Sequence, residues 1–365
     1  MLQKLFIFSV FLLSIQKASA TDINVALIIA SSEQDIFWSQ VSKITHATAN
    51  DLNVNLQTHY HASNRILLDE VISDIVHAQK KPDYVIFMPF GGSLERTFSL
   101  LEDAKISFVT LERTYEQQLH VEKIGNPLER FKYWIGEVFY NNTKAGELLA
   151  QNLLTHAVNN RQVKKSSLTA LGLSGDFHSG SKKREKGFLN IAQQNSIEVK
   201  QLIYTHWQQN VAKEKLLKLM NRHGNVDIIW CGSDVNSLGA LEAISELKLN
   251  PNKDIVIGGF DWAVTALQKI ENKQLTASVG GHIFEGARAL IKIFDYHHGI
   301  DNFNRDADYS GYLLELIDVN NIKEYEQLTK PNNWEDVDFR MFSSAKQKRP
   351  TAFNTLNIIS SLNKQ

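Results

Sequence analysis

The sequence predicts an α/β protein made of two doubly wound, parallel-sheet lobes. Three observations predict it. Short apolar runs alternate with amphipathic segments from one end of the chain to the other, the runs are apolar at neighbouring as well as alternate positions, and the whole alternation starts again near residue 166. Strands that are apolar on both faces and separated by helices imply a parallel sheet covered on both sides. Two such series in a chain of 365 residues imply two domains.

In the first series, "NVALIIA" (24–30) reads as a strand, 36–50 as a helix and "LNVNLQTH" (52–59) as a strand. Residues 65–79 form a helix with Leu67, Leu68, Val71, Ile72, Ile75 and Val76 on one face. "PDYVIFMP" (82–89) is a strand, 93–103 a helix and "ISFVTLE" (106–112) a strand. In the second series, "SSLTALGLSG" (166–175), "VKQLIYTH", "VDIIWCGS" (226–233), "DIVIGGFD" (254–261) and "LTASVGG" (275–281) are strands. Helices at 181–195, 211–222, 235–246 and 263–271 separate them.

The first twenty residues read as a secretory signal peptide. "MLQK" carries a positive charge, "LFIFSVFLLSI" is a short apolar run, and "ASA" (18–20) is an A-x-A cleavage signal. The apolar run is too short for a membrane span, and no later stretch is long and apolar enough for one. The single cysteine, Cys231, stands nowhere near the cut, which speaks against a lipid anchor, and within "VDIIWCGSD" it reads as a buried thiol. The expectation is a soluble exported protein. It has no intramolecular disulfide and is long enough to rely on ordinary cores. The balance of 39 basic against 40 acidic residues argues against a nucleic-acid partner.

In doubly wound sheets ligands sit beyond the carboxyl ends of the strands. The residues at those ends are Glu33, Asp35, Phe37 and Trp38 after the first strand, and Glu112 and Arg113 after "ISFVTL". In the second series they are Arg184 in "SKKREKGF", Trp207, Ser233, Asp234, Asp261, Trp262 and His282. Carboxylates, arginines and aromatics thus recur at one topological position in both halves. A sugar offers ring faces to aromatics and a rim of hydroxyls to carboxylates and arginines, whose charge-assisted hydrogen bonds are strong. Buried hydroxyls are costly unless paired, so such a site is dense in polar groups. Each residue has a plain structural alternative: Glu112–Arg113 as a surface pair, Arg184 as a solvated member of a basic run, Asp234 or Asp261 as a helix cap. Phe37 aligns with Val41 and Ile44 at helical spacing and lends an edge to the core. Trp38 reads as one wall of a cleft, with Asp35 beside it for hydroxyls.

Five motifs in order resemble the type I periplasmic binding proteins of the ribose/galactose-binding family, over about residues 24–300: "DIFW", "TLERT", "REKGF", "SDVNSLGA" and "GFD" at 259–261. The resemblance implies an aromatic pair sandwiching a sugar, Arg184 as a ligand arginine, and Glu112 and Ser233 where the family has Asp and Asn. The start "SSEQDIFW" and the "YSG" at 309–311 with its helical tail (from 309 on) are similar to the periplasmic receptors for the furanosyl borate autoinducer. No arginine stands near Gly281, where that branch has its second one, so an unmodified sugar or polyol is favoured.

The resemblance further implies a three-segment hinge near 138–142, 280–283 and 303–311. The first lobe would be 22–140 plus 281–325, the second 141–280, with 326–365 packed along the first. The implied role is non-enzymatic and cofactor-free. A monomer would capture a sugar or polyol and deliver it to an inner-membrane ABC permease, or alternatively dock on a membrane sensor kinase.

Other chemistries lack their motifs. "GLSGD" (172–176) has Asp176 where a nucleophile elbow needs glycine, and "ASSEQD" is no G-x-G-x-x-G. A LacI-type repressor would carry a helix-turn-helix where the leader stands. The histidines of "HYH" (59–61) and "HH" (297–298) form no set at metal-ligand spacing.

Overall fold

The computed structural model describes residues 23–90, 92–112, 124–161, 168–306, 309–331 and 333–362; the leader read at 1–20 and Arg113 lie outside them. The first sheet is all parallel, in the order β2-β1-β3-β4-β5. It comprises β1 (Ile23–Ile29), β2 (Val54–Tyr60), β3 (Tyr84–Phe87), β4 (Ser107–Leu111) and β5 (Trp134–Val138). Successive side chains of a strand point to opposite faces, and β1 shows why its run is apolar throughout. Val25, Leu27 and Ile29 join the core beneath α1 (Ile36–Leu52), whereas Ala26 and Ile28 join the one beneath α2 (Arg65–His77) and α3 (Leu94–Asp103).

The second sheet runs β11-β10-β9-β8-β6-β7. β6 (Thr169–Ser174), β7 (Glu198–Tyr204), β8 (Ile228–Cys231), β9 (Val256–Phe260) and β10 (Ala277–Gly280) are parallel, and β11 (Glu315–Asp318) closes one edge antiparallel to β10. One face is covered by α4 (Asn142–Arg161) and α5 (Ser179–Gln194), around a Phe188–Trp230 stack with ring centroids 5.1 Å apart. The other is covered by α6 (Gln209–His223), α7 (Asp234–Glu246) and α8 (Val264–Glu271). Cys231 is buried in this lobe.

Close packing of α4 on α5 fixes the position of Arg184. A Cβ on Gly146 would lie 2.1 Å from the Arg184 carbonyl oxygen, and one on Gly187 would lie 2.1 Å from the Thr143 carbonyl oxygen. Only glycine at both positions lets the two backbones touch.

β5, α4 and α9 (Glu285–His297) lie in stretches to which the sequence assigned no regular structure, and β11 is a strand inside the tail expected to be helical. α9 packs beside α1 on the first lobe. The chain crosses between lobes after β5, after β10 and before β11, and two of these crossings are tied together. The Tyr312 N–H donates to the Phe139 carbonyl, and the Asn141 N–H donates to the Tyr312 carbonyl.

The structure redraws the expected division at 281–325. α9 belongs with the first lobe, but β11 is hydrogen-bonded into the second sheet, because its backbone donors and acceptors find partners on the open edge of β10. The tail also touches both lobes rather than running along the first alone. The turn Ile322–Thr329 packs on α8, while Trp334–Asp336 and Phe339–Phe342 pack on α1. The last helix, α10 (Thr355–Leu362), starts where the Thr355 hydroxyl donates to Glu315.

Candidate functional site

Side chains that follow β1, β3 and β4 meet side chains that follow β5, β6, β9 and β10. The centre is Arg184 on α5, only 7% exposed. Its Nε donates to Asn142 Oδ1 (3.0 Å) and its Nη1 to the Gly232 carbonyl (2.9 Å), with Asp261 Oδ1 at 3.5 Å. Its Nη2 is 3.1 Å from His282 Nε2, and the guanidinium lies 4.6 Å over the Phe260 ring. The planar fork is thus held on several edges and one face, an orientation a lysine cannot reproduce. Asn142 passes the connection to the other lobe: its Nδ2 donates to Glu112 Oε2 at 3.0 Å.

His282 is shared between opposites. Its Nε2 is 3.1 Å from Asp261 Oδ1 as well as from Arg184 Nη2. Arginine only donates and carboxylate only accepts. Nε2 therefore serves one at a time, accepting from Arg184 when bare and donating to Asp261 when protonated. Phe37 lies against the same imidazole with ring centroids 4.6 Å apart, and Trp38 meets Phe37 edge-on at 5.2 Å.

The turns that carry these groups are strained. Glu112 (φ 57°), Asp261 (φ 106°) and Trp262 (φ 58°) occupy the left-handed region without being glycine, as do His206 (φ 55°) and Trp207 (φ 58°). Such backbone costs of order 1–3 kcal/mol per residue and collects at functional sites.

A second contact across the lobes lies at the rim. Phe90, after β3, meets His178, at the start of α5, with centroids 5.6 Å apart. Asp176 holds His178 Nδ1 at 2.6 Å and accepts from Trp207 Nε1 at 2.8 Å. Burial works against the Asp176 charge, but the hydrogen bonds from His178 and Trp207 outweigh it and bring the carboxyl down to about 2. The same hydrogen bond raises the His178 imidazole above its usual value.

The residues predicted from sequence divide by what they touch. Phe37, Glu112, Arg184, Asp261 and His282 come together. Trp207 joins Asp176 at the rim, and Glu33 is exposed in the turn before α1. Four others are engaged in local structure. Asp35 caps α1, accepting from Trp38 N–H and the Ser31 hydroxyl, each at 2.9 Å. Ser233 caps α7 by accepting from Asn236 N–H. Asp234 is fully buried, accepting from the Ser278 hydroxyl and Ala263 N–H; burial, then Asp261 nearby, pushes its carboxyl well up. Trp262 is buried, donates to the Ser278 carbonyl and packs near Tyr325.

Sequence reasoning missed Asn142, Phe90, Asp176 and His178. The strand-end rule reaches three of them when applied to every strand: Phe90 follows "YVIFMP", and Asp176 and His178 follow "TALGLSG". Asn142 carried no signal beyond its place in an expected crossing. Two cavities, of about 300 and 310 Å3, open beside the crossings; Gly281 lines the first, and Asn142 and Lys183 line the second. Among the described residues no group of three or more His, Cys, Asp or Glu is arranged to hold a metal ion.

Comparison with known proteins agrees with this architecture. A family model described as a periplasmic binding protein domain matches residues 25–297. The ribose import binding protein of Bacillus subtilis is 32% identical over 105 residues, which is 28% of this chain and 32% of that protein, so the match spans about a third of the relative. A periplasmic sugar-binding protein from Pseudomonas fluorescens superposes with a TM-score of 0.77 at 20% identity, covering 93% of this chain and 99% of that one. A solute-binding protein of an Actinobacillus succinogenes ABC transporter, with bound D-allose, gives 0.70 at 17% identity over 83% and 100% of the two chains. The Caulobacter myo-inositol binding protein gives 0.69 at 17% identity over 85% and 97%. With two wound lobes and a polar cluster between them, and a family model matched across most of its length, the chain belongs to the periplasmic binding protein family, in its type I fold.

Proposed function

We propose that this protein binds a sugar or related polyol between its two lobes and hands it to an ABC permease of the inner membrane. The observation that carries this reading is the Arg184 cluster, in which one buried guanidinium joins Asn142, Asp261 and His282 beside the Phe37 ring. Charged donors and acceptors with an aromatic face suit a ring edged with hydroxyls. Groups from both lobes contribute, so a ligand there gains its full set of contacts only when the lobes are closed. The sugar and polyol ligands named for the similar proteins support the same class. In this reading the protein is a monomer in the periplasm and performs no chemistry on its ligand.

The test is a thermal-shift screen of the chain from Thr21 onward against D-ribose, D-allose, L-arabinose, D-galactose and myo-inositol. A ligand that binds only the folded state stabilises it by about 2.7 kcal/mol at a hundred times its Kd. A rise in melting temperature with at least one compound is expected. No rise with any overturns the sugar reading.

A further inference from the structure

Glu285, the first residue of α9, is 1% exposed, and its Oε2 is buried with no hydrogen-bond partner. It lies directly after the turn that carries His282. Glu112, in the turn after β4, and Arg184 from α5 are close enough to act on it electrostatically. Arg184 attracts its charge but makes no hydrogen bond to it, the guanidinium being engaged by Asn142, Gly232, Asp261 and His282. A buried carboxyl without a partner is costly, and native structures satisfy such groups or use them. Nothing in the packing uses this one.

We propose that Glu285 is a ligand-contact residue that hydrogen-bonds a hydroxyl of the bound polyol and, together with Glu112, selects uncharged polyols against sugar acids and sugar phosphates. The proposal rests on the sugar-binding reading and specifies it further. Burial, followed by repulsion from Glu112, pushes the Glu285 carboxyl well up, with Arg184 opposing. A protonated carboxyl both donates and accepts, as a hydroxyl does, so the two match as neutral partners. An anionic ligand would set a third negative group beside Glu112 and Asp261, with a single buried guanidinium already shared among its neighbours.

The test compares wild type, Glu285→Gln and Glu285→Met by melting temperature and titration calorimetry. The probes are the five neutral compounds above with D-galacturonate, D-gluconate and D-ribose 5-phosphate. Wild type is expected to bind at least one neutral compound and none of the three anions. Glu285→Met is expected to bind that compound at least tenfold more weakly, with Glu285→Gln between the two. Both variants are expected to melt at or above the wild-type temperature without ligand at pH 7.5, because each removes a buried, unpaired acid. A purely structural glutamate would show the reverse, a lower melting temperature with unchanged affinity, and that result overturns the proposal. Should Glu285→Met fail to fold, Glu285→Leu binding within threefold of wild type overturns it as well. Tighter binding of an anion than of any neutral compound refutes the selectivity. Wild type binding none of the eight probes overturns the sugar reading and this inference together. Wild type binding a neutral compound that the variants bind equally well overturns this inference alone.

Discussion

Replacing Arg184 with alanine removes four polar contacts at once: to Asn142 at 3.0 Å, the Gly232 carbonyl at 2.9 Å, Asp261 at 3.5 Å and His282 at 3.1 Å. It also strips the cation from the Phe260 face. Two effects follow, and they separate. Breaking a buried pair by removing one partner costs about 3–5 kcal/mol. A domain protein has about 5–15 kcal/mol in hand, so the variant folds but melts lower. For the ligand, one lost charge-assisted hydrogen bond is worth about 1.5–3 kcal/mol, roughly a ten- to 150-fold loss of affinity. Asn142, Asp261 and His282 lose their common anchor as well, so the upper end or beyond is expected. The assays are calorimetry for affinity and circular dichroism for fold, on the ligand identified by thermal shift. A folded Arg184→Ala protein that binds within threefold of wild type would refute the assignment of this cluster as the site.

Stability should fall on the acid side through His61, whose buried ring nitrogens have no hydrogen-bond partner and whose burial lowers it from 6.5 to about 4. Its folded value lies below its unfolded one, so its contribution is complete above pH 6.5 and is lost as pH falls towards 4, up to about 3 kcal/mol. Melting curves between pH 4 and 7.5 should therefore be flatter for His61→Leu, and an unchanged acid limb would count against this. Asp176→Asn should lower the titration midpoint of His178, read by NMR, because the 2.6 Å contact that raises it is gone. An unmoved midpoint would show that the pair does not act in solution. Gly187→Ala places a Cβ 2.1 Å from the Thr143 carbonyl oxygen. Overpacking of this kind costs about 1–3 kcal/mol, and parting α4 from α5 should weaken ligand binding in the same calorimetric assay; wild-type stability and affinity would contradict the close-packing account.

The lobes were legible because their cause is local. A run such as "INVALII" must bury both faces, and only a parallel sheet between helices offers that. β5 and α4 escaped notice for the converse reason, whereas α9 carries a clear apolar stripe that the reading of the sequence passed over. The moment of α4 is spread around its circumference, since it packs against α5 on one side and the second sheet on another. β11 owes its place to a vacant sheet edge, which no property of "ELID" announces.

Among the candidate site residues, sequence position alone determined which groups stand at strand ends, and Phe37, Glu112, Arg184, Asp261 and His282 all stand there. It could not decide which of them turn inward. Asp35, Ser233, Asp234 and Trp262 occupy equivalent places, yet their polar atoms are taken by nearby N–H, O–H and C=O groups. That choice depends on backbone dihedrals at the turns and on which unsatisfied donor lies within 3 Å, quantities set by the packed chain. Glu285 is the clearest instance. An acid at a helix start ordinarily serves the helix dipole at the surface, and Glu285 was not singled out from the sequence. Only the packing of α9 on α1, within electrostatic reach of Glu112 and Arg184, buries its carboxyl and leaves Oε2 without a partner.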